Sequence, residues 1–445
     1  MKPTAYITGL TALALAATAS ADVTINLTGT TAFRSAALTS IKAKFAAGNG
    51  SVSYKFAHDK AAGSLTGSTR SIFIGNFPGV TGTTTIRCCF TGSVEGVRAL
   101  TLPGSGAGAD PSPPTYFPTT VLDSTTATSG GAELAAVTTA ASAVATTSDI
   151  AFSDVNKTAT PFTSASLGTD AVGVIVFTMM ANEGSAITNV TSQQYRALLS
   201  AGYQPLSMFT GGTESTYVFA VGRNDGSGTR TTALAESGYG ITNAVNQYIA
   251  LATSGNSITT LQRVPAGGVN TLNSQAATGQ SAANASTVWG QDVAGNGGYN
   301  SGGSVSTAMG LTGASVQVLD ETGVQSFSAD HIDLVTWLGI ADAGTAKTAG
   351  AVVCGYNGVK LDLNQTVGST PNTLSSADIA KITNGSYTAW GYERMFRTSS
   401  VSSDASKLAV YNAIKGAIPA NLGTAGVPVS SMNVSRPSDG GLVAP

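Results

Sequence analysis

The chain has 445 residues, of which 42% are hydrophobic and only 10% are charged, and its formal net charge is −2. An ordinary soluble domain carries about 25% charged residues, so most of the polar surface of this protein must come from neutral residues. The small negative charge argues against nucleic acid as a partner, because binding to a phosphate backbone requires patches of Lys and Arg. The length indicates two lobes or domains rather than one core.

The N-terminal stretch MKPTAYITGLTALALAATASA has the pattern of a secretory signal peptide. Lys2 provides the positive n-region, an apolar run follows around residues 10–17, and residues 19–21 (Ala-Ser-Ala) form an A-x-A cleavage site. The run is too short for a membrane-spanning helix, and the absence of a cysteine at the cleavage site argues against a lipoprotein anchor. We therefore expect residues 1–21 to be removed, a mature chain that begins at Asp22, and a periplasmic or secreted location.

The mature chain begins with a strand, a small polar turn and a helix. Apolar and polar residues alternate over 23–27, as in a half-buried strand, and apolar side chains recur at every fourth position over 33–45, as on a helix face. The turn between them, 29–31, is Gly-Thr-Thr. The same order returns over 86–97, around a Thr-Gly-Ser turn at 91–93.

Further strands and helices follow in alternation. Residues 52–79 indicate a β-hairpin inserted between the first two units, and residues 131–142 predict a helix that leads to a strand ending at Asp154. An apolar strand is predicted at 171–182 and a helix at 192–202. Strands that alternate with helices predict an α/β architecture with largely parallel strands.

A long stretch near the middle of the chain has a different composition. Residues 255–303 are rich in Gly, Asn, Ser and Ala, and the run GNGGYNSGGS at 295–304 is its extreme. Such clusters are typical of loops. We interpret the stretch as a flexible surface loop in preference to a binding loop.

The cysteines and histidines give no sign of a metal or cofactor site. Cys88 and Cys89 are adjacent and such neighbours rarely pair, so at least one of the three thiols stays free. One disulfide from Cys354 to either of them remains open in an oxidising compartment. His58 and His331 are too far apart in sequence to suggest metal ligands, and we expect no metal and no cofactor.

Three strand-to-helix turns consist of Gly, Ser and Thr, at 29–31, 91–93 and 226–229. In α/β proteins, ligands bind where strands end and helices begin, and a helix start attracts anions through its free N–H groups and its dipole. A helix cap is the ordinary explanation for any one such turn. Three of them, together with Arg223 and the strand-end Asp154, indicate an anion site. The pattern is not a nucleotide P-loop, because no lysine follows the glycines.

The segment GRNDGSGTR at 222–230 matches, without a gap, the R-x-D-G-S-G-T element of the PstS-type phosphate-binding proteins, which are periplasmic substrate-binding proteins of ABC transporters. TGTTAFRSAAL at 28–38, FTGSVEGVRAL at 90–100 and IAFSD at 150–154 resemble other segments of that family, in the same order. The resemblance extends over most of the mature chain.

This resemblance implies a two-lobed α/β fold of the type II periplasmic-binding-protein class, in which each lobe is a mainly parallel sheet flanked by helices. Lobe I would combine residues 22–170 with a return segment, 386–445, and it would carry the β-hairpin insertion. Lobe II would be residues 171–385. A phosphate ion would bind between the two lobes.

The resemblance also implies a role for each candidate residue. Arg223 would pair with phosphate oxygens, supported by Asp225, and Asp154 would accept the proton of monohydrogen phosphate. The hydroxyl and backbone donors would be Thr31, Ala32, Phe33, Ser93, Ser227, Gly228 and Thr229.

Two of these positions need comment. An ionised Asp154 would reject sulfate, which has no proton to share, and the penalty for such an unpaired contact is a few kcal/mol. The alternative is that Asp154 only caps a local turn. Ala32 stands where the family usually has a threonine, so one side-chain donor is absent unless Thr31 replaces it.

We therefore expect a protein that binds inorganic phosphate and delivers it to an ABC-type permease in the inner membrane, without catalysis. The alternative is a cell-surface structural or interaction protein that reuses the same fold, which the low charge, the hairpin insertion and the Gly-rich stretch favour. A hydrolase that uses Ser93 or Ser227 is disfavoured, because neither serine lies in a G-x-S-x-G motif and no histidine is near either of them in sequence.

Overall fold

The computed structural model describes residues 22–47, 53–102, 104, 109–110, 113–137, 143–264, 280–281, 297–423 and 426–445. The predicted signal peptide at 1–21 and most of the Gly-rich stretch lie outside the described residues. None of the described helices is long and apolar enough to cross a membrane.

The described residues form both helices and strands. The helices are α1 Arg34–Ala47, α2 Ser93–Thr101, α3 Ser192–Ala201, α4 Ser207–Thr210, α5 Gly228–Glu236, α6 Gly302–Met309, α7 Ile340–Thr348, α8 Ser376–Thr383, α9 Ser399–Ser403 and α10 Ala405–Asn421. The strands are β1 Val23–Gly29, β2 Tyr54–His58, β3 Arg70–Asn76, β4 Thr83–Cys89, β5 Thr115–Tyr116, β6 Ala132–Leu134, β7 Val144–Ala145, β8 Ile150–Ser153, β9 Gly168–Ala181, β10 Asn189–Val190, β11 Tyr203–Pro205, β12 Tyr217–Ala220, β13 Tyr248–Ser254, β14 Ser257–Arg263, β15 Gln280–Ser281, β16 Gly298–Tyr299, β17 Thr312–Leu319, β18 Gln325–Gly339, β19 Val352–Tyr356, β20 Gln365–Val367, β21 Thr370–Thr373, β22 Trp390–Arg397 and β23 Gly426–Val427.

The strands that lead into the three turns have parallel partners. β1 pairs in parallel with both β4 and β8, and β12 pairs in parallel with β18. Because parallel strands end at the same edge of a sheet, this pairing brings the turns after β1 and β4 to the same edge as the end of β8.

The predicted α/β class is confirmed, with a difference in strand direction: the sheet is mixed. β2, β3 and β4 run antiparallel to their neighbours in the inserted hairpin. The long strand β9 also runs antiparallel, to β22 through residues 168–176 and to β18 through residues 177–181.

The apolar side chains form two large cores. One collects buried residues from 23–172 and 395–422, with Phe33 and Phe45 among them. The other collects buried residues from 174–390, together with Val427. Most of the buried apolar residues are therefore divided between these two cores.

The predicted hairpin is present, since β2 and β3 pair antiparallel over their full length. The helix predicted at 131–142 is wrong where it can be judged: its start forms β6, which pairs in parallel with β2. Glu133 in β6 contacts the ring of His58 at 2.7 Å and accepts the backbone N–H of Gly63 at 2.8 Å. Pairing with β2 at the sheet edge outweighs the helix propensity of this Ala-rich segment. Residues 138–142 lie outside the described part.

All three cysteines are free and buried. Cys88 lies in the first core and Cys354 in the second, so the disulfide left open by the sequence is not formed. Burial raises the pKa of the Cys88 thiol to about 12, which keeps it protonated and unreactive at neutral pH.

Gly29 provides a test of the close packing at the first turn. It has φ of +118°, and a Cβ at this position would overlap with the carbonyl oxygen of Phe152. We expect Gly29→Ala to lower the free energy of unfolding by about 1–3 kcal/mol from backbone strain alone, measured by urea denaturation. Gly416 in α10 is the control, because a Cβ there would meet no atom within 4 Å. Gly416→Ala should raise stability by about 0.5–1 kcal/mol, and equal effects of the two changes would contradict the packing.

Candidate anion-binding site

The three Gly-, Ser- and Thr-rich turns meet at one place, which we call the three-turn cluster (residues 29–31, 91–93 and 226–229). The backbone N–H of Gly92 donates to the carbonyl of Gly29 at 3.0 Å, and the N–H of Val94 donates to the carbonyl of Gly226 at 3.2 Å. Gly92 has φ of +147°, and any side chain there would collide with Gly226. The starts of α1, α2 and α5 are therefore brought together by glycine backbones.

The third turn begins α5 with a side-chain cap. The hydroxyl of Ser227 accepts the backbone N–H of Arg230 at 3.4 Å, and Ser227, Gly228 and Thr229 are all buried. Gly228 has no room for a side chain, because a Cβ would overlap with the carboxylate of Asp154 and contact the hydroxyl of Ser93 at 2.5 Å. Three predicted site residues, Gly228, Asp154 and Ser93, are thus in one packed group.

Asp154 follows the end of β8 and is almost completely buried. The hydroxyl of Ser93 donates to its Oδ1, whereas Oδ2 has no hydrogen-bond partner among the described residues. Burial raises the pKa of Asp154 to about 6, and the Ser93 hydrogen bond and the charge of Arg223 oppose this rise. A buried acceptor without a partner requires an explanation, and a proton supplied by a ligand would satisfy it.

Arg223 is buried and held in one orientation by three acceptors. Its Nε donates to the carbonyl of Tyr299 at 3.0 Å, Nη2 donates to the carbonyl of Asn300 at 3.0 Å, and Nη1 donates to the hydroxyl of Thr31 at 3.4 Å. Because a guanidinium has five N–H groups, one N–H on each terminal nitrogen has no partner among the described residues. Two such groups are suited to an oxyanion.

Arg223 is supported by the carbonyl groups of residues 299 and 300. The charges of Asp342, Asp154 and Glu95 oppose the lowering of its pKa by burial. Asp225, the predicted supporting residue, opposes the lowering of the pKa of Arg230 by burial.

The first turn contributes differently from residue to residue. The hydroxyl oxygen of Thr31 accepts from Arg223 and therefore lies beside the guanidinium. The backbone N–H of Ala32 donates to the hydroxyl of Thr30 at 3.2 Å and is engaged within the turn. Phe33 is fully buried, with its ring 5.8 Å from that of Phe152. Its side chain anchors the turn to the first core.

A cavity of about 500 Å³ adjoins the cluster. We call it the side cavity, and its lining includes both basic and acidic groups, neutral polar groups and one aromatic ring. The lining residues are Thr31, Arg34, Lys60, Gly67, Thr69, Phe90, Thr91, Glu95, Asn224, Asn300 and Ser301.

Several site residues were not anticipated from the sequence. Tyr299 and Asn300 belong to the Gly-rich stretch, whose interpretation as a surface loop is wrong at this end, because Tyr299 is fully buried and its hydroxyl accepts the N–H of Ala250 at 3.0 Å. The sequence feature that could have pointed to Tyr299 was its position as a lone tyrosine in a Gly- and Ser-rich run. The feature that could have pointed to Arg34 was its position shortly after the first turn. Asp342 gave no signal, because only the fold brings it near Arg223.

Comparisons with known proteins give similarities of structure alone. No protein-family model matches the chain, and no curated protein is similar to it in sequence. Three solved structures to which it is similar are a putative phosphate ABC transporter substrate-binding protein with bound phosphate from Clostridium perfringens (TM-score 0.41, 11% identity, 91% of this chain and 99% of that chain), PstS from Borrelia burgdorferi (0.38, 11%, 92% and 100%) and an ABC-type phosphate transport receptor from Vibrio cholerae (0.39, 12%, 90% and 96%).

The raised pKa of Asp154 predicts a particular dependence of stability on pH. Its folded-state value of about 6 lies above the ordinary 3.8, so the folded protein holds a proton that the unfolded chain releases between about pH 4 and pH 6. The stability that this group contributes is full below pH 4 and is lost as the pH rises to 6, by up to about 3 kcal/mol.

Asp154→Asn isolates this contribution, because an amide does not titrate. We expect the free energy of unfolding of the wild type, relative to the variant, to fall between pH 4 and pH 6 in phosphate-free buffer. Urea denaturation at pH 4, 5, 6 and 7 measures the difference. A difference in the free energy of unfolding that stays constant over this range would show that the pKa of Asp154 is not raised in the folded protein.

Proposed function

We propose that the protein binds inorganic phosphate between two lobes and delivers it to an ABC-type membrane permease, and that it is a binding protein rather than an enzyme. The observation that carries the proposal is the meeting of three helix starts with Arg223 and Asp154 in one buried place. Helix starts and hydroxyl groups donate to oxyanions without adding charge, and a buried guanidinium adds a charge-assisted pair of bonds.

The arrangement suits phosphate better than sulfate. Near neutral pH phosphate carries a proton, which it can donate to the Oδ2 of Asp154, the oxygen that has no partner among the described residues. Sulfate carries none and would face an ionised carboxylate, which is costly in a buried site. The other predicted donors are the hydroxyl groups of Thr31, Ser227 and Thr229 and the backbone N–H groups of Phe33, Ser93, Gly228 and Thr229. The hydroxyl of Ser93 gives its one proton to Asp154, and the N–H of Ala32 donates to Thr30.

The lobes are part of the proposal. Lobe I would comprise residues 22–170 and 386–445 and lobe II residues 171–385, which the division into two cores supports. The last residues of the return segment pack differently, because Val434 and Val443 contact the core of lobe II. Closing of two lobes over a ligand is a common means of excluding water from a binding site.

Delivery to a permease requires a test in cells. If the protein serves transport, deletion of its gene should reduce phosphate uptake at low external phosphate, and uptake should return with the wild-type gene. Unchanged uptake in the deletion strain, alongside phosphate binding by the purified protein, would favour the role at the cell surface.

Arg223→Lys tests the proposed contact with the oxyanion. Lysine cannot reproduce two parallel donors, so we expect phosphate affinity to fall by about 1.5–3 kcal/mol, measured by calorimetry on phosphate-stripped mature protein. Arg196→Lys is the control, because Arg196 contacts the carbonyl of Ser237 at 3.1 Å, outside the cluster. A wild-type protein that gives no binding heat with millimolar phosphate would refute the proposal. A phosphate affinity of Arg223→Lys equal to that of the wild type would place Arg223 outside the site.

Asp154→Asn tests the basis of selectivity. An amide can donate as well as accept, so the repulsion that excludes sulfate disappears. We expect the variant to remain folded and to lose most of its preference for phosphate over sulfate in a competition assay at neutral pH. A wild type that binds both anions equally would contradict phosphate selectivity. A variant as selective as the wild type would leave Asp154 as a turn cap.

A further inference from the structure

The side cavity begins at the same residues that hold Arg223. The hydroxyl of Thr31 accepts from the guanidinium, and so does the carbonyl of Asn300, and both residues also line the cavity. The two sites are therefore continuous. A group attached to a phosphate oxygen near Arg223 can extend into the cavity without breaking the contacts of the other oxygens with the three-turn cluster.

The cavity is far larger than orthophosphate needs. Its volume is about 500 Å³, whereas one water molecule takes up about 30 Å³ of liquid, so five-atom phosphate would fill a small part of it. Pockets for small organic molecules have volumes of about 300–1,000 Å³. The volume fits an organic group of modest size.

The lining is polar and carries two basic groups and one carboxylate. Arg34 and Lys60 make no ion pair within the part of the chain that the structure describes, and the buried Nε of Arg34 has no hydrogen-bond partner there. Glu95 is the lining carboxylate, and Asp342, which lies outside the lining, contributes a second negative charge that acts on Arg34. With two carboxylates near them, the two cations do not favour a second multiply charged anion. Charged and neutral polar groups in this mixture are suited to hydroxyl groups, which both donate and accept.

The wall formed by the inserted hairpin is held by hydrogen bonds within its own loop. The carboxylate of Asp59 accepts the backbone N–H groups of Thr69 and Arg70, both at 3.0 Å, and closes the loop that carries Lys60 and Gly67. The ring of His58 accepts the N–H of Lys60 at 3.3 Å. A loop held in this way loses little entropy when a ligand binds. The insertion thus supplies a formed surface that the phosphate site itself does not need.

We propose that the protein binds a phosphate monoester of a small polyol, such as a glycerol phosphate, with the phosphate in the three-turn cluster and the hydroxyl groups in the side cavity. This inference rests on the proposed phosphate site. Orthophosphate and the ester compete for the same cluster, and the ester alone uses the hairpin wall.

Calorimetry on phosphate-stripped protein with orthophosphate and with glycerol 3-phosphate tests the inference. We expect both to bind, the ester with an affinity within about tenfold of that of orthophosphate. Binding of orthophosphate without any binding of the ester at millimolar concentration overturns the inference and leaves the proposed function standing. Binding of neither overturns both. Binding of pyrophosphate in place of the ester overturns the assignment to a polyol.

Gly67→Phe fills the cavity from its wall, because Gly67 lines it and a Cβ there meets no atom within 4 Å. We expect the ratio of ester affinity to orthophosphate affinity to fall at least tenfold, with Gly67→Ala as the small control. Lys60→Gln should lower the same ratio several-fold, whereas Lys360→Gln, at an exposed position, should not change it. The inference is overturned if Gly67→Phe loses affinity for both ligands equally, because the ratio of ester affinity to orthophosphate affinity then stays constant.

Discussion

The close contact between the carboxylate of Asp154 and the start of α5 at Gly228 is the constraint on which the site depends. A buried carboxylate is costly unless donors and opposite charge surround it. Here the helix start, the hydroxyl of Ser93 and the charge of Arg223 partly provide that compensation. Only glycine at position 228 allows the approach, because any side chain there would occupy the space of the carboxylate. The sequence element that looked like a binding loop is therefore also a packing requirement.

A second carboxyl group is buried near Asp154, which makes negative charge in this part of the core still more costly. Glu393 on β22 is fully buried, and neither of its carboxyl oxygens has a hydrogen-bond partner among the described residues. Burial raises its pKa well above the ordinary value, and the negative charge of Asp154 raises it further. Burial and the nearby charge of Asp154 therefore both disfavour the ionised form of Glu393.

The parts of the site that could be predicted from the sequence are those that are local in the chain. The turn at 226–229, the strand end at Asp154 and the hairpin at 52–79 follow from spacing and residue type, and the structure brings the first two together. Contacts between distant segments could not be predicted in this way. Asp342 lies more than a hundred residues from Arg223, and the helix predicted at 131–142 gave way to pairing with β2.

The C-terminal segment fixes the same elements from the outside. Arg436 pairs with Glu236, the last residue of α5, at 2.8 Å and lies over the ring of Trp390 at 4.2 Å. Asp439 pairs with Arg394 at 3.0 Å and accepts the N–H of Asn156, two residues after Asp154. The segment thus connects the helix that carries Ser227 with the loop that follows the site carboxylate.

The balance of charges explains how a weakly charged chain can hold an anion. Around the cluster and the side cavity, Arg34, Lys60 and Arg223 stand against Glu95, Asp154 and Asp342. Long-range attraction of an anion is therefore small, and binding must depend on short-range donors: helix starts, hydroxyl groups and the fixed guanidinium. Such donors act only at hydrogen-bond distance and in defined directions. Because a net positive charge would attract sulfate and phosphate alike, a neutral site leaves selectivity to the proton that Asp154 can accept.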